Sequence, residues 1–175
     1  MFEILATIAI TWVFGTLWGW GTHKFIHQRY AGPLFKQHLH HHVKHYPCHD
    51  FTSDVYRQGK RDSSVYIFLA LCIPIGIFPI LLWKYEVISL AAMIVSLLNM
   101  AFIGFLNSWI HDTFHLNNHW LSNLPLIKRF YEKLVQQHYT HHKYVQSNFG
   151  IFSFSWDKIL GSYRKWILKW VLMTN

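Results

Sequence analysis

Ten of the chain's fourteen histidines fall into four short clusters: His23-x3-His27, His38-x2-His41-His42, His111-x3-His115 and His138-x2-His141-His142. The order is pair, triple, pair, triple. A neutral imidazole offers one ligand nitrogen and suits iron, zinc, copper or nickel. A structural zinc takes only four ligands, so ten imidazoles are too many for one ion and fit two at five each. Imidazoles carry no negative charge, so two divalent ions would leave the site strongly positive. Asp112 and Asp157 are the nearest carboxylates that could orient imidazoles through their free N–H groups. No nucleophile is implied, and no catalytic residue is expected beyond the metal centre. His40, His45, His49 and His119 fall outside the pattern and are expected at the surface or behind the ligands.

Residues three and four apart share one face of a helix. The spacing therefore asks for four helical segments, each presenting two or three imidazoles to a common centre, as carboxylate bundles do. His23 and His27 continue an apolar segment that precedes them, and His111 and His115 continue another. The breaks agree with this division. Gly32-Pro33 separates the first pair from the first triple, and Tyr46-Pro47 ends that triple's helix before a polar loop from Cys48 to Ser64. Asn117-Asn118 and Asn123-Leu124-Pro125 precede a helical pattern from Leu126 to Lys143, and Gln146 to Gly150 reads as a loop. The pair-then-triple order recurs in both halves, a weak internal symmetry.

The elements that must hold these histidines are unusually apolar. Only 14% of the residues are charged, against roughly 25% in a soluble domain. The deficit lies in three runs: Phe2 to Gly21, with Glu3 as its one charge, and the uncharged Val65 to Trp83 and Val87 to Ile110. Each approaches the length of about 20 apolar residues that crosses a bilayer core. Pro74 and Pro79 are expected to kink the second rather than end it. Lys84, Tyr85 and Glu86 alone separate the second and third, which makes them a hairpin. All four histidine clusters then share one side of the membrane.

The expected fold is all-α, an integral-membrane helical bundle with a cytoplasmic cap of helices carrying a histidine-rich dimetal site. It is one domain over residues 1–175, with spans at about 2–21, 65–83 and 87–110 and histidine-bearing regions at 22–64 and 111–165. Fifteen of the sixteen Lys and Arg residues lie in those regions or the C-terminal tail. The positive-inside rule puts that side in the cytoplasm, of a bacterial inner membrane or the endoplasmic reticulum. The net charge of +8 is then explained by anionic headgroups, and nucleic acid is not an expected partner. Trp166 to Met173 is too short to span and is expected in the interface. Cys48 and Cys72 read as free thiols. A histidine-rich membrane protein that binds or moves metal is the competing class, but transport calls for ionisable residues inside the spans, and these spans carry almost none.

The motifs HKFIH, HLHHH, HDTFH and HYTHH, followed by Asn148-Phe149-Gly150 and by Trp156-Asp157 with Gly161, resemble the fatty acid hydroxylase superfamily, which includes sterol desaturases and carotenoid hydroxylases. The resemblance runs from about Thr22 to Gly161. It implies an integral-membrane, non-haem dimetal oxygenase that uses O2 to hydroxylate or desaturate a C–H bond of a lipid. The ten clustered histidines match the family ligands, and Asn148 joins Asp112 and Asp157 as a supporting residue behind them. Two iron ions are implied in the working enzyme, with zinc able to occupy the sites in isolated protein. The chain shows three spans where family members commonly have four, which would place the N-terminus outside. It has no His-Pro-Gly-Gly segment of a fused cytochrome b5, so electrons would come from a separate cytochrome b5, ferredoxin or reductase. Tyr46-Pro47 and the spacing of the last clusters are similar to hydroxylases of fatty acid and sphingolipid acyl chains, the compact size to carotenoid hydroxylases. Phe14, Trp18, Phe102 and Phe105 are candidates for an apolar wall along the substrate.

Overall fold

The structure, a computed structural model, describes residues 1–57 and 64–165, with side chains at 1–57 and 72–165. Its regular elements are helices α1 (Phe2–Ile26), α2 (Pro33–His40), α3 (Ser64–Lys84), α4 (Leu90–Thr113), α5 (Lys128–Lys143) and α6 (Ser155–Ile159). A π-helical turn at His41–His45 extends α2, and short 3-10 turns occupy Arg29–Ala31 and Trp120–Asn123. The expected all-α bundle is the observed one. The expected interfacial run Trp166–Met173 lies outside the described residues, as do residues 58–63 of the expected loop.

α1 and α4 are long and apolar enough to cross a membrane, and the shorter apolar stretch Cys72–Lys84 lies in α3. Only 11% of the most apolar stretch of α1 and 33% of that of α4 is buried inside the fold. Ile10, Ile73 and Leu98 point outward with at least 64% of their surface exposed. An apolar surface of that extent suits lipid rather than water.

α4 packs along both α1 and α3. Glycines set the closeness of its contact with α1. A Cβ at Gly15 would lie 2.7 Å from Ile103 Cδ1, and one at Gly19 would lie 2.8 Å from Asn107 Nδ2. Without a hydrophobic effect between helices in lipid, such close backbone approach and a few polar bonds hold them together. One such bond pair comes from Asn99 Nδ2, which donates to Ile8 O at 3.1 Å and Thr11 Oγ1 at 2.6 Å. α3 runs through Pro74 and Pro79 without ending. The hairpin turn is longer than its sequence suggests. α4 begins at Leu90, because Ser89 caps it by accepting from Ala92 N at 3.1 Å. Glu86 takes the left-handed conformation (φ 59°) within that turn.

A layer of short helices covers one end of the three long ones. α2 starts with Pro33 in its first turn, where the missing N–H costs nothing. α5 is amphipathic and turns Tyr131, Leu134, His138, His141 and His142 inward. Its apolar side joins Phe51, Ile110, Phe114, Leu121, Ile151 and Phe154 in one buried cluster. A parallel bridge, Ser53 to Leu116, ties the segment after α2 to the end of α4. Of the four aromatics expected along the substrate, Phe14, Phe102 and Phe105 are each 53% exposed on the outer surface. Those three face outward rather than into the cleft between the helices. Trp18 alone lines the cleft between α1, α3 and α4.

Candidate metal centre

All ten clustered histidines are buried beneath the layer of short helices, none more than 9% exposed. Nine of them divide into two groups whose ligand atoms lie within 4.8 Å of one another: His23, His27, His38, His42 and His141, and His41, His115, His138 and His142. The division crosses the sequence clusters. The first pair joins the outer members of the first triple and the middle member of the second. The second group mirrors this, taking His115, the outer members of the second triple and the middle member of the first. Helical geometry explains the split, since His38 and His42 are four residues apart on one face while His41 faces a neighbouring side. The tenth histidine, His111, stands beside the second group, with its ring centroid 4.9 Å from that of His41 and 4.7 Å from that of His138. The expectation of five and five thus becomes five and four, with His111 adjoining. His40 and His45 lie at the edge of this layer and pair with each other, ring centroids 5.2 Å apart. His119 caps the turn after α4.

Backbone carbonyls fix the imidazoles from behind. Nδ1 of His23 donates to Phe149 O at 2.7 Å, and Nδ1 of His141 to Ser147 O at 2.7 Å. Nδ1 of His142 donates to Tyr46 O at 2.8 Å, and Nδ1 of His115 to Phe51 O at 3.0 Å. A carbonyl only accepts, so the proton sits on Nδ1 and the Nε2 lone pair faces the centre. His111 differs. Its Nδ1 meets a carboxylate, Asp112 Oδ1, at 3.1 Å, and Tyr56 Oη donates to the same oxygen at 2.8 Å. Asp112 thus lies directly behind a histidine.

The arrangement fits metal ions. Nε2 of His27 lies 2.9 Å from Nε2 of His141 and 2.9 Å from that of His38. Nε2 of His38 is 3.2 Å from that of His23 and 3.1 Å from that of His42, and the His138 and His115 Nε2 atoms are 3.2 Å apart. Adjacent nitrogens on an ion with bonds of about 2.1 Å at right angles would be about 3 Å apart. Nε2 of His111 and of His142 are buried with no hydrogen-bond partner. Buried lone pairs turned toward one another are costly unless a cation sits between them. Burial holds His38, His42, His115, His138, His141 and His142 well below the usual imidazole range, with neighbouring imidazoles acting in the same direction. Burial likewise lowers His27 to about 3. Burial thus favours the neutral form of these rings, the form in which an imidazole binds a metal.

Asp157 and Asn148 touch no imidazole, and their contribution is one bond further out. Asp157 is fully buried and accepts from Phe149 N and Gly150 N, both at 2.8 Å, from Trp20 Nε1 at 3.0 Å and from Ser162 Oγ at 2.6 Å. It thereby holds the loop whose Phe149 carbonyl orients His23. Asn148 takes a left-handed φ of 54°. Its side chain accepts from Arg164 N at 2.8 Å and donates to Gln137 Oε1 at 2.9 Å. Gly150 is required because a Cβ there would lie 2.2 Å from Ser153 O.

Sequence reasoning missed Tyr46, Phe51, Ser147 and Phe149, which act through their carbonyls. No side-chain pattern announces such a role. Tyr46 is also fully buried and stacks on His115, ring centroids 4.0 Å apart. Its place after the first triple was visible, but its packing was not. Tyr56 is raised above the usual phenol range by burial and by the adjacent Asp112 carboxylate.

A comparison with protein families matches residues 8–162 to the family described as fatty acid hydroxylase. Neither the curated proteins nor the solved structures gave a match.

Proposed function

The chain belongs to the fatty acid hydroxylase family, and from that premise we propose that it is a membrane-bound, non-haem diiron oxygenase acting on a lipid. Membership implies an oxidoreductase of the hydroxylase or desaturase type. The substrate we favour is a fatty acid or sphingolipid acyl chain, with sterols and carotenoids as the alternatives. The observation that carries the proposal is the pair of buried histidine groups, five and four, in which backbone carbonyls turn the Nε2 lone pairs of His23, His115, His141 and His142 inward.

His23, His27, His38, His42 and His141 would hold one ion, and His41, His115, His138 and His142, with His111, the other. Bound there, iron would supply the activation of O2 that side chains alone do not provide. The overall reaction balances as a C–H bond, O2, two electrons and two protons giving a C–OH and water. The chain's own residues keep the imidazoles neutral, aim them through the carbonyls of Tyr46, Phe51, Ser147 and Phe149, and exclude water by burial. The electrons would come from a separate cytochrome b5, ferredoxin or reductase. The basic residues gathered on the histidine-bearing side support a cytoplasmic placement, where such donors are available.

The test is lipid analysis of a host expressing the chain beside the same host expressing His141→Ala. A lipid carrying one added oxygen in the first and absent from the second is the expected result. A lipid lacking two hydrogens would make the reaction a desaturation. Oxidised lipid at equal levels in both hosts would refute the assignment.

A further inference from the structure

Leu98, Phe102 and Phe105 form an exposed stripe along α4, since steps of three and four residues keep to one helix face. Four residues on, Trp109 ends the stripe, close to where the apolar run of α4 stops at Ile110. Trp109 is half-buried, and its ring meets that of Trp120 at 6.3 Å between centroids and that of His119 at 6.1 Å. Tryptophan at the end of a span marks the boundary between membrane and water. The segment from Trp120 into α5 therefore starts at that boundary, beside the lipid-facing stripe.

This segment is pinned at both ends and bare in the middle. Leu121 and Tyr131 are buried in the apolar cluster against α5, and Tyr131 Oη donates to Thr113 O at 2.9 Å. Ser122 Oγ donates to His119 O at 2.6 Å. Residues 123–130 are exposed throughout. Leu124, Leu126, Ile127 and Phe130 are among them, Leu126 at 98%. A leucine held out in this way gains nothing from the hydrophobic effect unless something apolar covers it. The charges of the segment are as unusual as its apolar residues. α5 opens with Lys128 and Arg129, has no acidic residue in its first turn and receives no side-chain cap from Ile127. Two cations at a helix N-terminus oppose the helix dipole, whereas a phosphate there suits both the dipole and the cations. Glu132 is an acidic neighbour, 3.9 Å from Lys128 Nζ, but both side chains are about half exposed and such a pair is worth little in water.

We propose that residues 120–130 form an interfacial anchor. Trp120, Leu124, Leu126 and Phe130 sink into the leaflet on the histidine-bearing side, and Lys128 and Arg129 meet the phosphates of anionic lipids. An apolar edge rimmed by Lys and Arg is the pattern that binds such a surface. The proposal rests on α4 being a membrane span and is independent of the reaction catalysed. Its consequence is positional, because the anchor sets the depth of α5, whose last turns carry His138, His141 and His142.

The test places a nitroxide probe on the full chain in vesicles of phosphatidylcholine and phosphatidylglycerol, after Cys48 and Cys72 are replaced by Ser. Leu126→Cys carries the probe, with Leu98→Cys as the site in the span and His49→Cys as the site in the polar loop. None of the three is buried, so the fold is retained. At Leu126, collisions with O2 are expected to exceed those with a water-soluble nickel chelate, as at Leu98, and to place the probe about 5–10 Å below the phosphates. The reverse order, as at His49, would overturn the proposal. So would a probe shielded from both, since that marks a protein partner or a second copy of the chain. A Leu98 probe in water would instead refute the span on which the proposal rests. Arg129→Gln is expected to shift the ratio of immersed to exposed Leu126 probe about fivefold toward water, the worth of one cation at an anionic surface. In phosphatidylcholine alone it should have no effect. An equal shift in both kinds of vesicle would overturn anionic lipid as the partner.

Discussion

The two histidine groups are near mirror images in how they draw on the sequence, yet they are supported differently. Behind the five-membered group stand neutral acceptors, the carbonyls of Phe149 and Ser147. Behind the four-membered group stand the carbonyls of Tyr46 and Phe51, and beside it the Asp112 carboxylate on His111. A hydrogen bond to a carboxylate raises the basicity of the imidazole more than one to a carbonyl does. The first group thus has ligand number, and the second has charge. The first also depends on a distant loop, held by Asp157, while the second is held by the segment directly following α2.

Removing a ligand from either group tests whether the two are separate ion sites. Purified wild-type protein should carry about two metal ions per chain. His27→Ala removes a ligand from the five-membered group and His138→Ala one from the four-membered group. Both should lower lipid oxidation by at least about a hundredfold, because activation of O2 needs the complete centre. Elemental analysis should separate them. His138→Ala, which leaves three close ligands and the adjoining His111, is expected to lose the larger share of its ion. His27→Ala, which leaves four, is expected to retain its ion more weakly. Equal metal content in both variants and the wild type would show that these groups are not where the ions bind.

Much of this was legible in the sequence, for definite reasons. The apolar runs mark α1, α3 and α4 because nothing else in a 175-residue chain requires such stretches. The pairs His23/His27 and His111/His115 mark helix ends because four-residue spacing repeats one face. The assignment of ligands to groups was not legible. His41 parts from His38 and His42 because the triple straddles two helix faces, and only the packing of that segment among the other histidine-bearing segments decides which centre each face meets. The carbonyls of Tyr46 and Phe51 were hidden for another reason, since any residue could supply them. Asp157 was singled out in the sequence, but as a direct partner of imidazole. Its four hydrogen bonds go instead to the 149–150 backbone, Trp20 and Ser162.

That indirect role yields a smaller effect confined to the five-membered group. Asp157→Ala removes a buried carboxylate and leaves two backbone N–H groups without acceptors, which should cost roughly 3 kcal/mol of stability. The Phe149 carbonyl then loses its fixed position behind His23. Metal affinity should fall by about 10- to 100-fold at the five-membered site, with the other site little changed. A competitive chelator titration with two resolved steps measures this. A loss shared equally by both steps would mean that the loop serves the whole centre and not one half.

Asp112→Asn is the matching change on the other side and should be gentler. The amide keeps the size of the carboxylate and can still accept from Tyr56 Oη and His111 Nδ1, so the fold should be retained. What goes is the negative charge behind His111, and with it the added basicity that the five-membered group lacks. The weaker step of the chelator titration should shift at the four-membered site by about tenfold, the low end of what outer partners contribute. Tyr56→Phe removes only the hydrogen bond to Asp112 Oδ1, seen at 2.8 Å, and leaves the charge. It should therefore shift the same step less than Asp112→Asn does. If Tyr56→Phe proves the more damaging of the two, the hydrogen-bonded position of the carboxylate matters more than its charge, and the contrast between the groups is one of rigidity.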